Sequence, residues 1–184
     1  DFVFDGTAAK PYGEDAPTAP LSAYGESKRL GELAALDYDG GLVLRTSWLF
    51  GPGGPNFVAT MSGLMAAGRK PLRVVADQVG CPTYTPYLAA AIWDLADLRI
   101  SGILHYRNRD PVSWHGFACE IASQLDDPDE VVAISSEELA RPAPRPAYSV
   151  LDVTKFEDLV DRRAEDWRDG LREYLKTIRD RGHS

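Results

Sequence analysis

The stretch GGLVLRTSWLFG, residues 40–51, is a continuous apolar run with the length of one strand. A run without polar alternation is typical of a strand in a parallel sheet that is covered on both faces. The preceding residues 22–36 have apolar positions at helical spacing, and Ser22, after Pro20, is the predicted N-cap of that helix. A helix followed by a buried strand predicts part of an α/β unit.

The same alternation continues along the rest of the chain. Apolar spacing predicts further helices over 56–68, 85–98, 113–125 and 165–180. Short apolar runs predict strands over 72–75, 102–107 and 129–135, and DFVFDG (1–6) is predicted to be the end of another strand. Thr85 and Ser113 are the predicted N-caps of two of the helices. We therefore predict an α/β fold that holds the later strands of a Rossmann-like parallel sheet.

Charge and cysteine content exclude several classes of protein. Among 184 residues, 20 Lys and Arg stand against 28 Asp and Glu, and the net charge of −8 argues against a nucleic-acid partner and against an anionic membrane surface. No apolar run is long enough to span a bilayer and no signal-peptide pattern opens the sequence, so we expect a cytoplasmic location. Cys81 and Cys119 form no CxxC pair and the histidines lack metal-ligand spacing, which predicts buried free thiols and no metal site.

Tyr24 and Lys28 stand four residues apart in the first predicted helix. This spacing places both side chains on one helix face, one turn apart. An ammonium near a phenol favours the phenolate, so such a pair can donate a proton to a carbonyl oxygen near neutral pH. The alternative is an ordinary exposed tyrosine and lysine, because a YxxxK pattern alone is common.

Five blocks of the sequence add to that weak motif: DFVFDG (1–6), PYGEDAPTAPLSAYGESKRLGE (11–32), LRTSWLFGPGGPNFV (44–58), VVADQVGCPTYTPYLAAAI (74–92) and RPAPRPAYSVLD (141–152). In this order they resemble the dTDP-4-dehydrorhamnose reductases, which are extended short-chain dehydrogenase/reductases. The resemblance implies reduction of the 4-keto group of a dTDP-linked 6-deoxyhexulose by NADPH or NADH. It also implies a Rossmann-like sheet with a smaller α/β substrate-binding domain.

The resemblance assigns roles to individual residues. Tyr24 is the implied general acid, and Lys28 is implied to hold the nicotinamide ribose and to assist Tyr24. The remaining implied contacts are with the cofactor for Arg45, Thr46 and Ser47, and with the dTDP-sugar for Trp48, Asn56, Phe57 and Gln78. Two of these have a structural alternative, because Trp48 can be a core residue and Phe57 a helix-face anchor.

The resemblance also implies segments that this sequence does not hold. Family members carry a glycine-rich βαβ half and a catalytic Ser or Thr before the position of Asp1, and GPGGP (51–55) does not serve as the phosphate-binding turn. We expect a C-terminal two-thirds in which residues 1–50 end the cofactor domain and residues 51–184 form mainly the substrate-binding domain, with some segments returning to the sheet. Alone, this piece is expected to bind NADPH weakly or not at all. It is also expected to bury its cut sheet edge in an oligomer such as a homodimer, or to dissolve poorly.

Two other functions stay open from the sequence. Nucleotide-sugar epimerases and dehydratases of the same superfamily also use YxxxK, although a dehydratase is expected to carry extra acidic residues near Phe2 and Val3. Proteins that resemble the reductases also act as regulatory subunits of methionine adenosyltransferase, without catalysis. The intact Tyr24 and Lys28 favour an enzyme.

Overall fold

The computed structural model describes residues 1–126 and 131–181. The helices are α1 (Ala23–Leu36), α2 (Phe57–Ala66), α3 (Thr85–Ala96), α4 (Trp114–Gln124), α5 (Ser136–Leu139), α6 (Thr154–Val160) and α7 (Trp167–Arg181). The strands are β1 (Leu42–Arg45), β2 (Leu49–Phe50), β3 (Leu72–Val75), β4 (Val79–Gly80), β5 (Thr83–Tyr84), β6 (Gly102–His105), β7 (Val112–Ser113) and β8 (Val131–Ile134).

The strands pair mostly in parallel. β1 pairs with β6, β2 with β5 and β3 with β8 in parallel register, whereas β4 and β7 run antiparallel. The register of the first pair sets Arg45 opposite His105. Parallel pairs joined through helices confirm the predicted α/β fold. The predicted division of the chain at residue 50 stays a prediction.

The main core forms where α2, α4 and α7 meet the strands. Buried aromatic and aliphatic side chains fill it, among them Phe50, Phe117, Trp167 and Leu171. The apolar face predicted for the C-terminal helix therefore packs inward, as its spacing indicates. A second cluster around Leu104 lies between α3, β6 and α6.

Several local predictions are confirmed because the side chains that specify them act over a few residues. Ser22 caps α1 by accepting a hydrogen bond from the amide of Gly25, and Ser113 caps α4 in the same way through Gly116. The strand predicted over 72–75 is β3.

Other predictions are wrong. The run 40–51 is not one strand: it breaks between β1 and β2, where Trp48 has a φ of +46°, outside the range of a strand. The segment 1–6 is irregular, since the carbonyls of Val3 and Gly6 accept hydrogen bonds from loop amides. Residues 129–130 of one predicted strand lie outside the described residues.

Two predictions about single side chains are also corrected. The N-cap of α3 is Tyr84 rather than Thr85, and no side chain caps this helix, which has a proline in its first turn. Cys81 is a buried free thiol as predicted, but Cys119 is exposed because it lies on the outer side of α4. Within residues 1–126 and 131–181, no helix is both long enough and apolar enough to cross a membrane.

Candidate active site

The start of α1 presents Tyr24 and Lys28 on its surface. The Ser22 cap fixes the first turn, and Gly25 lets the helix approach the N-terminal segment, since a Cβ there would lie 2.3 Å from the carbonyl oxygen of Phe2. The ring of Phe2 meets that of Tyr24 edge to face at 5.4 Å. The tyrosine is nevertheless 59% exposed, so its hydroxyl is accessible to a ligand.

A cavity of about 670 Å³ opens beside this helix. Six of the predicted site residues line it: Tyr24, Lys28, Arg45, Thr46, Ser47 and Trp48. The last four follow one another at the carboxyl end of β1, which is the edge where open α/β sheets bind ligands. The structure therefore brings together the predicted proton donor, its lysine and the predicted cofactor-binding segment. We call this the first cavity.

Arg45 is held by protein partners from three directions. Its guanidinium forms a bidentate ion pair with Glu32 of α1, with both N–O distances at 2.8 Å. It also donates to the carbonyl oxygen of Glu14 at 3.4 Å and lies 3.3 Å from the imidazole Nε2 of His105. Arg45 thus ties α1 to β1 and β6. Its predicted contact with a cofactor stays a prediction.

The buried imidazole of His105 is neutral. Burial, and then the charge of Arg45, lower the pKa of His105 to about 4. Because a guanidinium can only donate, Nε2 accepts the hydrogen bond from Arg45 and Nδ1–H donates to the carbonyl oxygen of Asp152 at 3.2 Å. His105 is therefore a fixed acceptor for Arg45, which lines the first cavity.

Thr46 and Ser47 differ in how their hydroxyls are used. The hydroxyl of Ser47 donates to the carbonyl oxygen of Cys81 at 2.7 Å, which joins the end of β1 to the segment before β5. The hydroxyl oxygen of Thr46 is buried and has no hydrogen-bond partner. A buried polar atom without a partner is costly, so Thr46 is the residue of this segment with unused hydrogen-bonding capacity.

A second cavity of about 410 Å³ holds two more predicted residues, Phe57 and Gln78. Three arginines line it as well: Arg73, Arg141 and Arg145. The second cavity therefore combines apolar walls with positive charge. Burial, and then the neighbouring Arg141, lower the pKa of Arg145.

Trp114 lines both cavities, although its place in the sequence gave no reason to predict it as a site residue. Its indole stacks on that of Trp48, with ring centroids 3.6 Å apart and planes 8° from parallel. The sequence pattern marks Trp114 only as the first residue after the Ser113 cap, so nothing local indicated a site. The arginines of RPAPRP were part of the resemblance but had no assigned role.

Asn56 lines neither cavity. Its side-chain oxygen caps α2 by accepting from the amide of Ala59. The two hydrogens on its Nδ2 are shared among the carbonyl oxygens of Gly51 and Gly54 and the hydroxyl of Tyr174. These contacts give Asn56 a structural role in holding the turn before α2. Its predicted contact with a sugar nucleotide has no support from its position.

Comparison with known proteins places the chain in a family. A family model described as the RmlD substrate binding domain matches residues 1–180. The chain belongs to this family.

No group of three or more His, Cys, Asp and Glu suited to a metal ion occurs among the described residues.

Several known proteins resemble the chain over most of its length. The spore coat polysaccharide biosynthesis protein SpsK of Bacillus subtilis is 44% identical over 177 residues, which are 96% of this chain and 62% of that protein. A dTDP-4-dehydrorhamnose reductase of Streptomyces griseus is 43% identical over 97% of this chain and 61% of its own length. The chain thus spans about three fifths of the length of these relatives.

A solved structure shows the same fold. The dTDP-4-dehydrorhamnose reductase of Bacillus anthracis, in complex with NADP, matches with a TM-score of 0.90 and 34% identity. The match covers 96% of this chain and 63% of the reductase. The α/β architecture is therefore that of the corresponding part of an RmlD-family reductase.

Proposed function

We propose that this chain carries the proton-donating residues and the sugar-nucleotide-binding region of a dTDP-4-dehydrorhamnose reductase. The reaction reduces the 4-keto group of dTDP-4-dehydrorhamnose to give dTDP-L-rhamnose, with NADPH or NADH. The observation that supports this most directly is that Tyr24, Lys28 and Trp48 line one cavity. The names of the relatives, including a reductase at 43% identity, support the same reaction.

The chemistry assigns one step to each side chain. A bound reduced nicotinamide would supply the hydride to the carbonyl carbon. Tyr24 would donate its phenolic proton to the carbonyl oxygen, which becomes the new hydroxyl. Lys28, one helical turn away, would stabilise the phenolate left on Tyr24 through its positive charge and would hold a ribose hydroxyl of the cofactor.

The residues of the first cavity fit the ribose and nicotinamide end of such a cofactor. The volume of about 670 Å³ lies within the range of small-molecule sites. Lys28 would hold polar groups of the cofactor, while Trp48 would contact the sugar.

The second cavity is the proposed site for the nucleotide end of the substrate. Arg141 and Arg145 offer positive charge to a diphosphate, and Phe57 and Gln78 offer an apolar face and an amide to a base. The amide Nε2 of Gln78 donates to Ser136 at 2.7 Å, so its carbonyl oxygen is the group that would face a ligand.

The test uses the full-length protein, dTDP-4-dehydrorhamnose and NADPH, with oxidation of NADPH followed by absorbance. We expect Tyr24→Phe to lower kcat at least 100-fold, because the proton donor contributes about 10²- to 10⁴-fold. Tyr38→Phe is the matched control, since Tyr38 is 76% exposed and lines neither cavity, and it should leave the rate unchanged. Absence of turnover in the wild type, with the nucleotide sugar still bound, would replace this proposal by an epimerase or a regulatory role.

We also propose a cytoplasmic location and a homodimer for the full-length protein. Leu30 and Leu33 of α1 are more than half exposed, which supports an apolar contact on this helix. Sedimentation of the full-length protein distinguishes a dimer from a monomer.

A further inference from the structure

The two stacked tryptophans lie in an unusual arrangement. The centroids of Trp48 and Trp114 are 3.6 Å apart and their planes are 8° from parallel, so one ring almost covers the other. Aromatic pairs prefer offset or edge-to-face arrangements, because the negatively polarised faces of two rings repel each other. The surrounding structure must therefore hold this pair in place.

Three features hold the pair. The backbone of Trp48 has a φ of +46°, which is rare for a bulky residue and turns its side chain out of the path of β1. On β4, Gly80 leaves room for the indole of Trp48, since a Cβ at position 80 would lie 2.5 Å from Cε2 of that ring. Phe57 packs against Trp114, with ring centroids 4.7 Å apart.

The stack also lies between the two cavities. Trp48 lines the first cavity, and Trp114 lines both. The first cavity contains the proton donor, while the second contains the arginines. A ligand that fills both cavities would contact Trp114, and the stacking of Trp114 on Trp48 fixes the orientation of that indole.

We infer that Trp114 is a positioning residue that fixes the sugar-contacting face of Trp48 and sets the distance between the two ends of a bound sugar nucleotide. This inference rests on the proposed function. Trp114 then determines specificity for ligands in which a sugar and an anionic diphosphate are joined at the right spacing. The ring contacts of Trp114 are with Trp48, Phe57 and Phe117, none of which is proposed to hold the cofactor, so we expect cofactor binding to be independent of Trp114.

The experiment compares Trp114→Phe with Trp93→Phe in the full-length protein. Trp93 lies on α3, is 80% exposed and lines neither cavity. We expect Trp114→Phe to raise KM for dTDP-4-dehydrorhamnose about tenfold, the size of one aromatic contact, and to leave KM for NADPH unchanged. Trp93→Phe should change neither value. If Trp114→Phe leaves both KM values unchanged, or raises both together, the inference is wrong.

A spectroscopic measurement checks the stack itself. Two indoles overlapping at this distance couple their transitions, and the coupling gives an exciton couplet in circular dichroism when the two transition dipoles are not parallel. The couplet should vanish in Trp114→Phe and persist in Trp93→Phe. Gly80→Ala should distort the couplet and raise KM for the sugar nucleotide in the same way, because its methyl group displaces Trp48. A couplet that survives Trp114→Phe would overturn the inference.

Failure of the proposed function can be told apart from failure of this inference. If the wild type does not reduce the keto sugar, titration with dTDP-glucose replaces the kinetic measurement. Weaker binding of dTDP-glucose by about tenfold in Trp114→Phe, with wild-type binding in Trp93→Phe, then supports the inference although the reductase proposal has failed. Equal affinities in both variants would refute it.

Discussion

Removing one partner of the buried ion pair between Arg45 and Glu32 should destabilise the protein strongly, because the other partner is left as an unpaired buried charge. Arg45→Met keeps a long apolar side chain and removes the guanidinium. The side chain of Glu32 is only 13% exposed, so the substitution leaves its carboxylate without a counter-ion in a poorly solvated place. The imidazole of His105 and the carbonyl of Glu14 lose a donor as well.

The size of the loss follows from the burial. Removing one partner of a buried ion pair costs about 3–5 kcal/mol. A matched control exists in Arg73, whose pair with Glu138 has the same N–O distance of 2.8 Å but side chains that are 58% and 53% exposed. An exposed pair contributes about 0–1 kcal/mol, so the difference between the two variants isolates the effect of burial.

Thermal and urea unfolding of the full-length protein, followed by circular dichroism without ligands, measures both variants. At about 2–4 °C per kcal/mol, Arg45→Met should lower Tm by roughly 6–20 °C and Arg73→Met by no more than about 4 °C. Replacing both Arg45 and Glu32 by apolar residues should recover most of the loss, since no uncompensated charge remains. Equal losses in Arg45→Met and Arg73→Met would refute the reasoning.

Two further predictions concern packing and pH. Gly25→Ala should destabilise the protein by about 1–3 kcal/mol, although alanine favours helices, because its methyl group would lie 2.3 Å from the carbonyl oxygen of Phe2. Gly63→Ala in α2 should stabilise the protein by about 0.5–1 kcal/mol, because a methyl group there meets open space. Chemical denaturation measures both, and a stable Gly25→Ala would contradict the close approach. The pKa of His105 is lowered from 6.5 to about 4, so the neutral imidazole contributes fully to the free energy of unfolding above pH 6.5, and this contribution is lost as the pH falls towards 4. The free energy of unfolding should drop by about 2 kcal/mol between pH 7.5 and pH 5. His105→Gln should remove this part of the pH dependence. If the variant shows the same dependence of unfolding free energy on pH as the wild type, His105 does not titrate as described.

The predictions that held depend on short-range chemistry. Ser22 and Ser113 cap helices through an amide three residues later, and that geometry is complete within one turn. The spacing of Tyr24 and Lys28 likewise fixes their shared face once the helix forms. The strand at 72–75 is bounded by its own apolar run, so its limits were visible in the sequence.

The predictions that failed depend on contacts between distant segments. Nothing near Trp48 in the sequence indicates a positive φ, because the reason lies in Gly80 and Trp114, more than 30 and 60 residues away. The contact between Arg45 and His105 also joins residues 60 positions apart, so no local sequence pattern predicts it. The predicted contact of Asn56 with the substrate stays a prediction, and in the structure its amide caps α2 and holds the turn before it.

The close contact between Gly80 and Trp48 constrains how this sequence can change over evolution. A side chain larger than hydrogen at position 80 has room only if the residue at position 48 becomes smaller, because the indole fills the space where the Cβ would be. Replacement should therefore follow an order. A smaller residue at position 48 leaves room for a later side chain at position 80, whereas a side chain at position 80 clashes with the indole for as long as Trp48 is present.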